Sequence, residues 1–160
     1  MQPRIEELLA KKMVGHSLTM SLTNNRTFDL WSGFMPVRRH IANAIGSDLY
    51  SIQVYKTLHD PNNFSPNAEF IKWAAIEVTD YLNYDQGFKT LDLLGGLYAV
   101  FIHKGLPSDF KRTMDFIYKE WMPTSEYQLD DRPHFEILGT KYKNNHPDSE
   151  EEVWIPIKSK

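Results

Sequence analysis

Three stretches of this chain set carboxylates beside aromatic rings at spacings that could do chemistry. Trp73 and Glu77 share one, Glu152 and Trp154 a second, and Glu136 stands in a short apolar run, HFEIL. Aromatic walls around an internal carboxylate suit a flat or cationic organic molecule, held by ring stacking, cation–π attraction and one charge pair. Tyr50, Tyr98 and Tyr118 could bring hydroxyls to the same place. Simpler readings compete with each assignment. Glu150, Glu151 and Glu152 form a charge run that could be a solvated edge, and Glu136 could sit on a solvated sheet face. The tryptophans and tyrosines could be ordinary core. If the protein is an enzyme, Glu136 is the candidate acid–base group, because desolvation can raise a carboxyl pKa toward neutrality. No second polar group stands at a spacing that marks it as a catalytic partner.

Other chemistries lack their residues. There is no cysteine, which removes disulfides, thiolate chemistry and Cys-ligated zinc. The histidines at 16, 40, 59, 103, 134 and 146 show no metal-ligand spacing, so neither metal nor cofactor is expected. Gly95-Gly96 lacks the third glycine and the lysine of a phosphate loop. Eighteen basic against 21 acidic residues give a net charge of −3 with no basic block, so direct nucleic-acid binding has no footprint. No apolar run reaches the length of a signal peptide or a membrane span. A cytoplasmic protein without membrane contact is the expectation.

The elements that must position these residues follow from periodicity. Over Asp148–Lys160, strict alternation places Val153, Ile155 and Ile157 on one face and Glu152, Trp154 and Pro156 on the other. Glu69–Thr79 has the same texture, and laying Trp73 over Trp154 matches Ala74 and Ile76 to Ile155 and Ile157. The chain therefore reads as one domain over 1–160, made of two copies of a unit at about 4–80 and 88–159. Each copy is strand, helix, strand, strand. In the first, Gly15 marks a bulge or bend, and a helix carries Phe28, Leu30, Trp31, Phe34, Val37, Ile41 and Ile45. Pro36 should kink or divide that helix, and Gly46 should stop it. The polar loop His59–Asn67 contains Phe64, which either folds over an opening or anchors the loop. The linker spans 81–87. In the second copy, Pro107-Ser108 opens a helix buried through Phe110, Met114, Ile117 and Trp121, and Pro123 closes it.

Two such copies predict an α+β fold: antiparallel sheets with helices on one face and a central ligand cleft between the helix-free faces. Alternation assigns Gln53, Trp73, Glu77, Glu136, Glu152 and Trp154 to those faces. The composition, 41% hydrophobic and 13% aromatic, supplies enough core for it.

The phrases LTMSLTNN, LWSGFMP, LYSIQVY, KWAAIEVTD, GLYAVFIHKG, EWMPTSEYQLDDRPHFEILG and EEEVWIPI resemble the GyrI-like effector-binding family, from about Ile5 to Lys158. That family includes the small-molecule-sensing domains of AraC-type and MerR-type transcription regulators and free-standing proteins. The resemblance implies a pseudo-twofold pair of modules with the ligand in the groove between them. It places the family's acidic pocket residue on Glu136 and its aromatic wall on Trp154, with Trp73 as the first-half counterpart. A separate DNA-binding domain is not expected within this stretch, since the first strand is expected within its first few residues. Three functions are implied: binding of an apolar or weakly cationic small organic molecule, as effector sensing or sequestration; hydrolysis of strained cyclopropane-type xenobiotics; and protein-binding modulation, as of DNA gyrase. A protein partner is thus open, as is the oligomeric state.

Overall fold

The stretches with β-type alternation pair into one antiparallel sheet. The computed structural model describes residues 1–85 and 87–160, so position 86 of the expected linker lies outside the described residues. The strands are β1 (Arg4–Leu8), β2 (Lys11–Met20), β3 (Leu49–Val54), β4 (Phe70–Val78), β5 (Lys89–Leu93), β6 (Gly96–Lys104), β7 (Tyr127–Leu129), β8 (His134–Leu138) and β9 (Glu150–Ser159). Their order across the sheet is β1-β6-β9-β8-β3-β4-β2-β5, with β7 added at the end of β9. Helix α1 (Thr27–Phe34) follows β2. Helix α2 (Phe110–Asp115) follows β6 and runs on as a π-helix, Phe116–Trp121, and a last turn, Met122–Thr124. β7 falls in a stretch that the sequence presents as loop.

The duplication is visible in the spacing. The strands β1, β2 and β3 and their counterparts β5, β6 and β8 open 85 residues apart (4 to 89, 11 to 96, 49 to 134). Ser51 and Glu136 have the same separation and face each other where β3 pairs with β8, so the pseudo-twofold axis passes between them. This axis corrects the overlay of the two tryptophans. Trp154 lies opposite Phe135, whose first-half equivalent Tyr50 lies opposite Ala75. Trp73 and Trp154 share a face but stand two residues out of phase.

The sheet closes on itself. The ladder from Arg4–Val100 to Leu8–Gly96 continues in the same register from Lys11–Leu93 to Gly15–Lys89. The run of β1 into β2, from Arg4 to Gly15, therefore pairs with the run of β5 into β6, from Lys89 to Val100, and the two ends of the sheet are joined by continuous chain. Glycine permits the close approaches this needs. A methyl at Gly15 would lie 1.9 Å from the Ala74 carbonyl oxygen. The helix-free faces thus become the inside of a barrel, filled by Met13, Tyr50, Trp73, Leu93, Tyr98, Phe135 and Trp154. Trp154 stacks on Phe135 at 5.2 Å and meets Tyr98 edge-on at 5.7 Å. Side chains fill the space between those faces over most of its length, and a cavity remains at one end beside Ile102, Ile137 and Glu152.

Both helices pack outside the barrel. Leu30 and Phe34 of α1 cover Val14, Met20, Ala74 and Ile76. Ile117, with Phe110, Met114 and Trp121, covers Ala99, Phe101, Val153 and Ile155. Pro36 divides the first helical stretch: α1 ends at Phe34, and a short 3-10 turn, Arg38–His40, follows. Phe28, expected in the buried stripe, is exposed. Among the described residues no helix is long and apolar enough to cross a membrane, and no cluster of His, Asp or Glu could hold a metal.

Candidate functional site

Because α1 lies over β2 and β4, and α2 over β6 and β9, the central strands β3 and β8 have no helix above them. Their outward side chains line the floor of a groove between the helices: Ser51 and Gln53 from β3, His134 and Glu136 from β8. The apolar partners in the same strands, Tyr50, Ile52 and Phe135, turn into the barrel. Polar residues occupy this outer strip, which no helix covers directly.

Glu136 is the centre of the groove. It is densely surrounded yet keeps part of its surface open, as a carboxylate at the bottom of a depression does. In either orientation of its amide, Gln53 donates a hydrogen bond to it, at 3.3 Å to Oε1 or 3.0 Å to Oε2. Among the described residues no cation forms an ion pair with Glu136. Burial raises its pKa from 4.5 to about 6, against the opposing pull of Lys72 and the Gln53 bond. Glu151 is pushed up to about 7, by burial first and then by repulsion from Glu136, with Lys72 again opposing. Two carboxylates thus crowd one end of the groove with a single lysine near both.

The walls are aromatic. Tyr118 stands on the π-helical segment, where the Met122 N–H reaches back five residues to the Ile117 carbonyl. π-Helical turns of this kind recur at functional sites. Pro123 follows at once and has no N–H to give the Lys119 carbonyl. Ile117 is anchored in the core, and the Tyr118 hydroxyl reaches His134 Nδ1 at 3.4 Å. Burial raises the Tyr118 pKa well above its ordinary value, so it stays a phenol. On the opposite wall Tyr55 meets His134 edge-on at 5.2 Å. The loop 56–69 folds over both. Phe64 packs on Tyr55 and on His59, and His59 lies flat against Tyr55. Phe64 therefore anchors the loop and helps to cover the opening at once. Burial holds His59 at about 4 and His134 at about 3, so both imidazoles are neutral at neutral pH.

The residues singled out from the sequence separate into three places. Glu136 and Tyr118 meet in the groove. Trp73, Trp154 and Tyr98 are inside the barrel, where Tyr98 donates to the Pro133 carbonyl at 2.8 Å and its pKa is pushed up to about 12 by burial. Glu152 and Glu77 lie on the barrel side of their strands and are already paired. Glu152 accepts from Arg4 Nη2 at 2.7 Å and from Trp154 Nε1 at 3.0 Å, and Glu77 binds Lys11 Nζ at 3.1 Å. Assigning Glu136 to the same face as Trp154 is the error: it pairs with Val153, and neighbours across a ladder point to the same side. Sequence reasoning missed Tyr55, His59, His134, Lys72 and Glu151 as groove residues. For Lys72, His134 and Glu151 the signal was the polar alternate positions of β4, β8 and β9, whereas Tyr55 and His59 lie beyond the end of β3.

A cavity of about 310 Å3 opens at the Glu151 end, lined also by Asp48, Ile102, Ile137, Gly139 and Lys141. A second, of about 260 Å3, lies between α1 and β2. Glu136 lines neither; His59 and Phe64 occupy the neighbouring part of the groove, against Tyr55 and His134. What the groove offers chemically is a carboxylate that ionises near neutrality, ring faces on two sides, and one phenol donor.

Three solved structures illustrate the likeness to known proteins. SAV2435 bound to tetraphenylphosphonium has a TM-score of 0.68 at 14% identity, covering 99% of this chain and 94% of that one. The EcmrR–DNA complex gives 0.71 at 14%, covering 99% of this chain but 58% of the EcmrR chain. A hydrolase from Listeria innocua gives 0.63 at 11%, covering 98% and 92%. At these identities the likeness establishes the fold alone. No curated protein matches the sequence significantly. The model of the GyrI-like small molecule binding domain, however, matches residues 1–158, and with a floor carboxylate lying on the axis between two repeated halves, the chain belongs to that family.

Proposed function

We propose that this protein binds an apolar to weakly cationic small organic molecule in the groove between α1 and α2, with Glu136 as the counter-charge. The observation that carries this reading is the state of the three candidate carboxylates. Glu77 and Glu152 are neutralised by Lys11 and Arg4, whereas Glu136 is held at the groove floor with only an amide bond. A desolvated carboxylate between aromatic walls favours a polarisable cation that can lose its hydration cheaply. The tetraphenylphosphonium bound by the structurally similar SAV2435 is a cation of this kind and supplies a probe. The experiment is a thermal-shift screen over lipophilic cations, neutral aromatics and nucleotides, on the wild type and Glu136→Gln. Stabilisation by lipophilic cations that Glu136→Gln abolishes supports the reading; stabilisation by nucleotides alone overturns it.

A second reading, hydrolysis, is favoured by one observation. Tyr118 brings a phenol into the groove that holds a carboxylate of pKa about 6, giving an acid–base group and a donor for a developing anion. Incubating the protein with strained cyclopropane-bearing electrophiles separates the two. Product over many turnovers, lost in Glu136→Gln while binding persists, identifies a hydrolase. Binding without product identifies a binder, which is the outcome expected here.

A further inference from the structure

The groove between Tyr55, Tyr118 and His134, beside Glu136 on β8, is filled by a side chain of the protein itself. The His59 ring lies parallel to Tyr55, with centroids 3.9 Å apart and planes 13° apart. Phe64 at 4.8 Å, His134 at 5.3 Å and Tyr118 at 6.3 Å meet it edge-on. That is the geometry in which an aromatic cage holds a flat guest: one stacked face and rings on the sides. The imidazole is nonetheless a poor guest. Its Nδ1 is buried with no hydrogen-bond partner, and buried polar atoms are normally satisfied.

The attachment of the loop points the same way. Its far end is fastened to the turn after β2: Thr23 N–H donates to the Pro66 carbonyl at 3.0 Å and the Thr23 hydroxyl to Asn67 Oδ1 at 2.8 Å. Ser65 and Ala68 close a turn there as well. Around His59 the hydrogen bonds are local, from Asn62 and Asn63 to Asp60. Among the described residues, ring packing is what holds the imidazole in its slot, so the near half of the loop can lift while the far half stays fixed.

We propose that His59 is a built-in occupant of the ligand slot: a planar aromatic ligand takes its place on Tyr55, and the loop 59–67 thereby sets the affinity and selects for flat rings. This rests on the reading of the groove over Glu136 as the binding site. A slot blocked most of the time lowers apparent affinity by the fraction that is open, so removing the plug tightens binding. His59 also reports its own release. Buried among Tyr55, Tyr118, Phe64 and His134, with only Asp60 to favour its charged form, it titrates at about 4; displaced into water, it returns toward 6.5.

The test uses ethidium, a planar aromatic cation, with Kd measured by fluorescence on the wild type, His59→Ala and Glu136→Gln, and with His59 titrated by NMR with and without ethidium. The expected result is a Kd lowered about tenfold in His59→Ala, raised in Glu136→Gln, and a His59 pKa that rises on saturation. Binding that needs Glu136 but is unchanged or weakened in His59→Ala, with His59 still titrating near 4, overturns the plug and leaves the site. Binding indifferent to Glu136, or absent from both the wild type and His59→Ala, overturns both.

Discussion

Glu136→Gln should make the protein more stable at alkaline pH, not less. The Glu136 carboxyl is carried from 4.5 to about 6 by burial. Its charged form is therefore disfavoured in the folded state by about 2 kcal/mol, at 1.36 kcal/mol per pH unit. Because the folded pKa is the raised one, the folded protein binds the proton more tightly than the unfolded chain. The penalty is fully present above about pH 6, shrinks as the pH falls, and is gone below about 4.5. Glutamine keeps the shape and part of the hydrogen bonding to Gln53 while removing the charge. Urea melts of the wild type and Glu136→Gln at pH 4, 5, 6, 7 and 8 measure the difference. The variant should gain up to about 2 kcal/mol at pH 8 and nothing at pH 4. Partial exposure of the carboxylate trims that figure, and relief of its repulsion on Glu151 adds to it. A variant equal to or weaker than the wild type at pH 8 would refute the reasoning, since Glu136 would then be stabilised by its neighbours in the fold rather than kept for a ligand.

Three further outcomes follow from the same geometry. Affinity for a lipophilic cation should fall about tenfold between pH 8 and pH 5 as the Glu136 carboxylate is protonated; in Glu136→Gln most of that slope should vanish, as titration calorimetry across pH would record. Trp154→Ala should cost about 3–5 kcal/mol in denaturant melts by emptying the barrel, whereas Glu136→Gln should not reduce stability at all. Gly15→Ala should destabilise by about 1–3 kcal/mol or more, because its methyl meets the β4 backbone at the crowded crossing of β2, β4 and β5; soluble yield and thermal melting check this.

Much of this arrangement was legible in the sequence, and the reasons for the gaps are specific. Alternation separated Phe135 and Ile137 from His134 and Glu136 correctly, and Pro36 did divide a helical stretch. Alternation cannot say which of a strand's two faces meets the helices, though, and β8 is the case that misleads. Its apolar side turns away from the helices because it fills a barrel, and its polar side lies in the gap between them. The barrel itself depends on β1 and β2 pairing with β5 and β6 across the whole chain, which local pattern does not carry beyond the hints of Gly15 and Gly95-Gly96. Similar texture around Trp73 and Trp154 suggested equivalence, while the ladders place them two residues apart in phase. His59 gave no periodic signal at all, since a loop residue is positioned by its neighbours in space.

The central claim is that Glu136, and not the carboxylates of the barrel rim, is the charge a ligand meets. Calorimetric titration of tetraphenylphosphonium into the wild type, Glu136→Gln and Glu152→Gln at pH 7.5 tests it most directly. A charge-assisted interaction in a desolvated site is worth roughly 1.5–3 kcal/mol, or roughly 10- to 100-fold in Kd. Glu136→Gln should weaken binding by that factor, and Glu152→Gln should keep a near wild-type Kd. Equal affinity in the wild type and Glu136→Gln, with the weakening confined to Glu152→Gln, would contradict the claim.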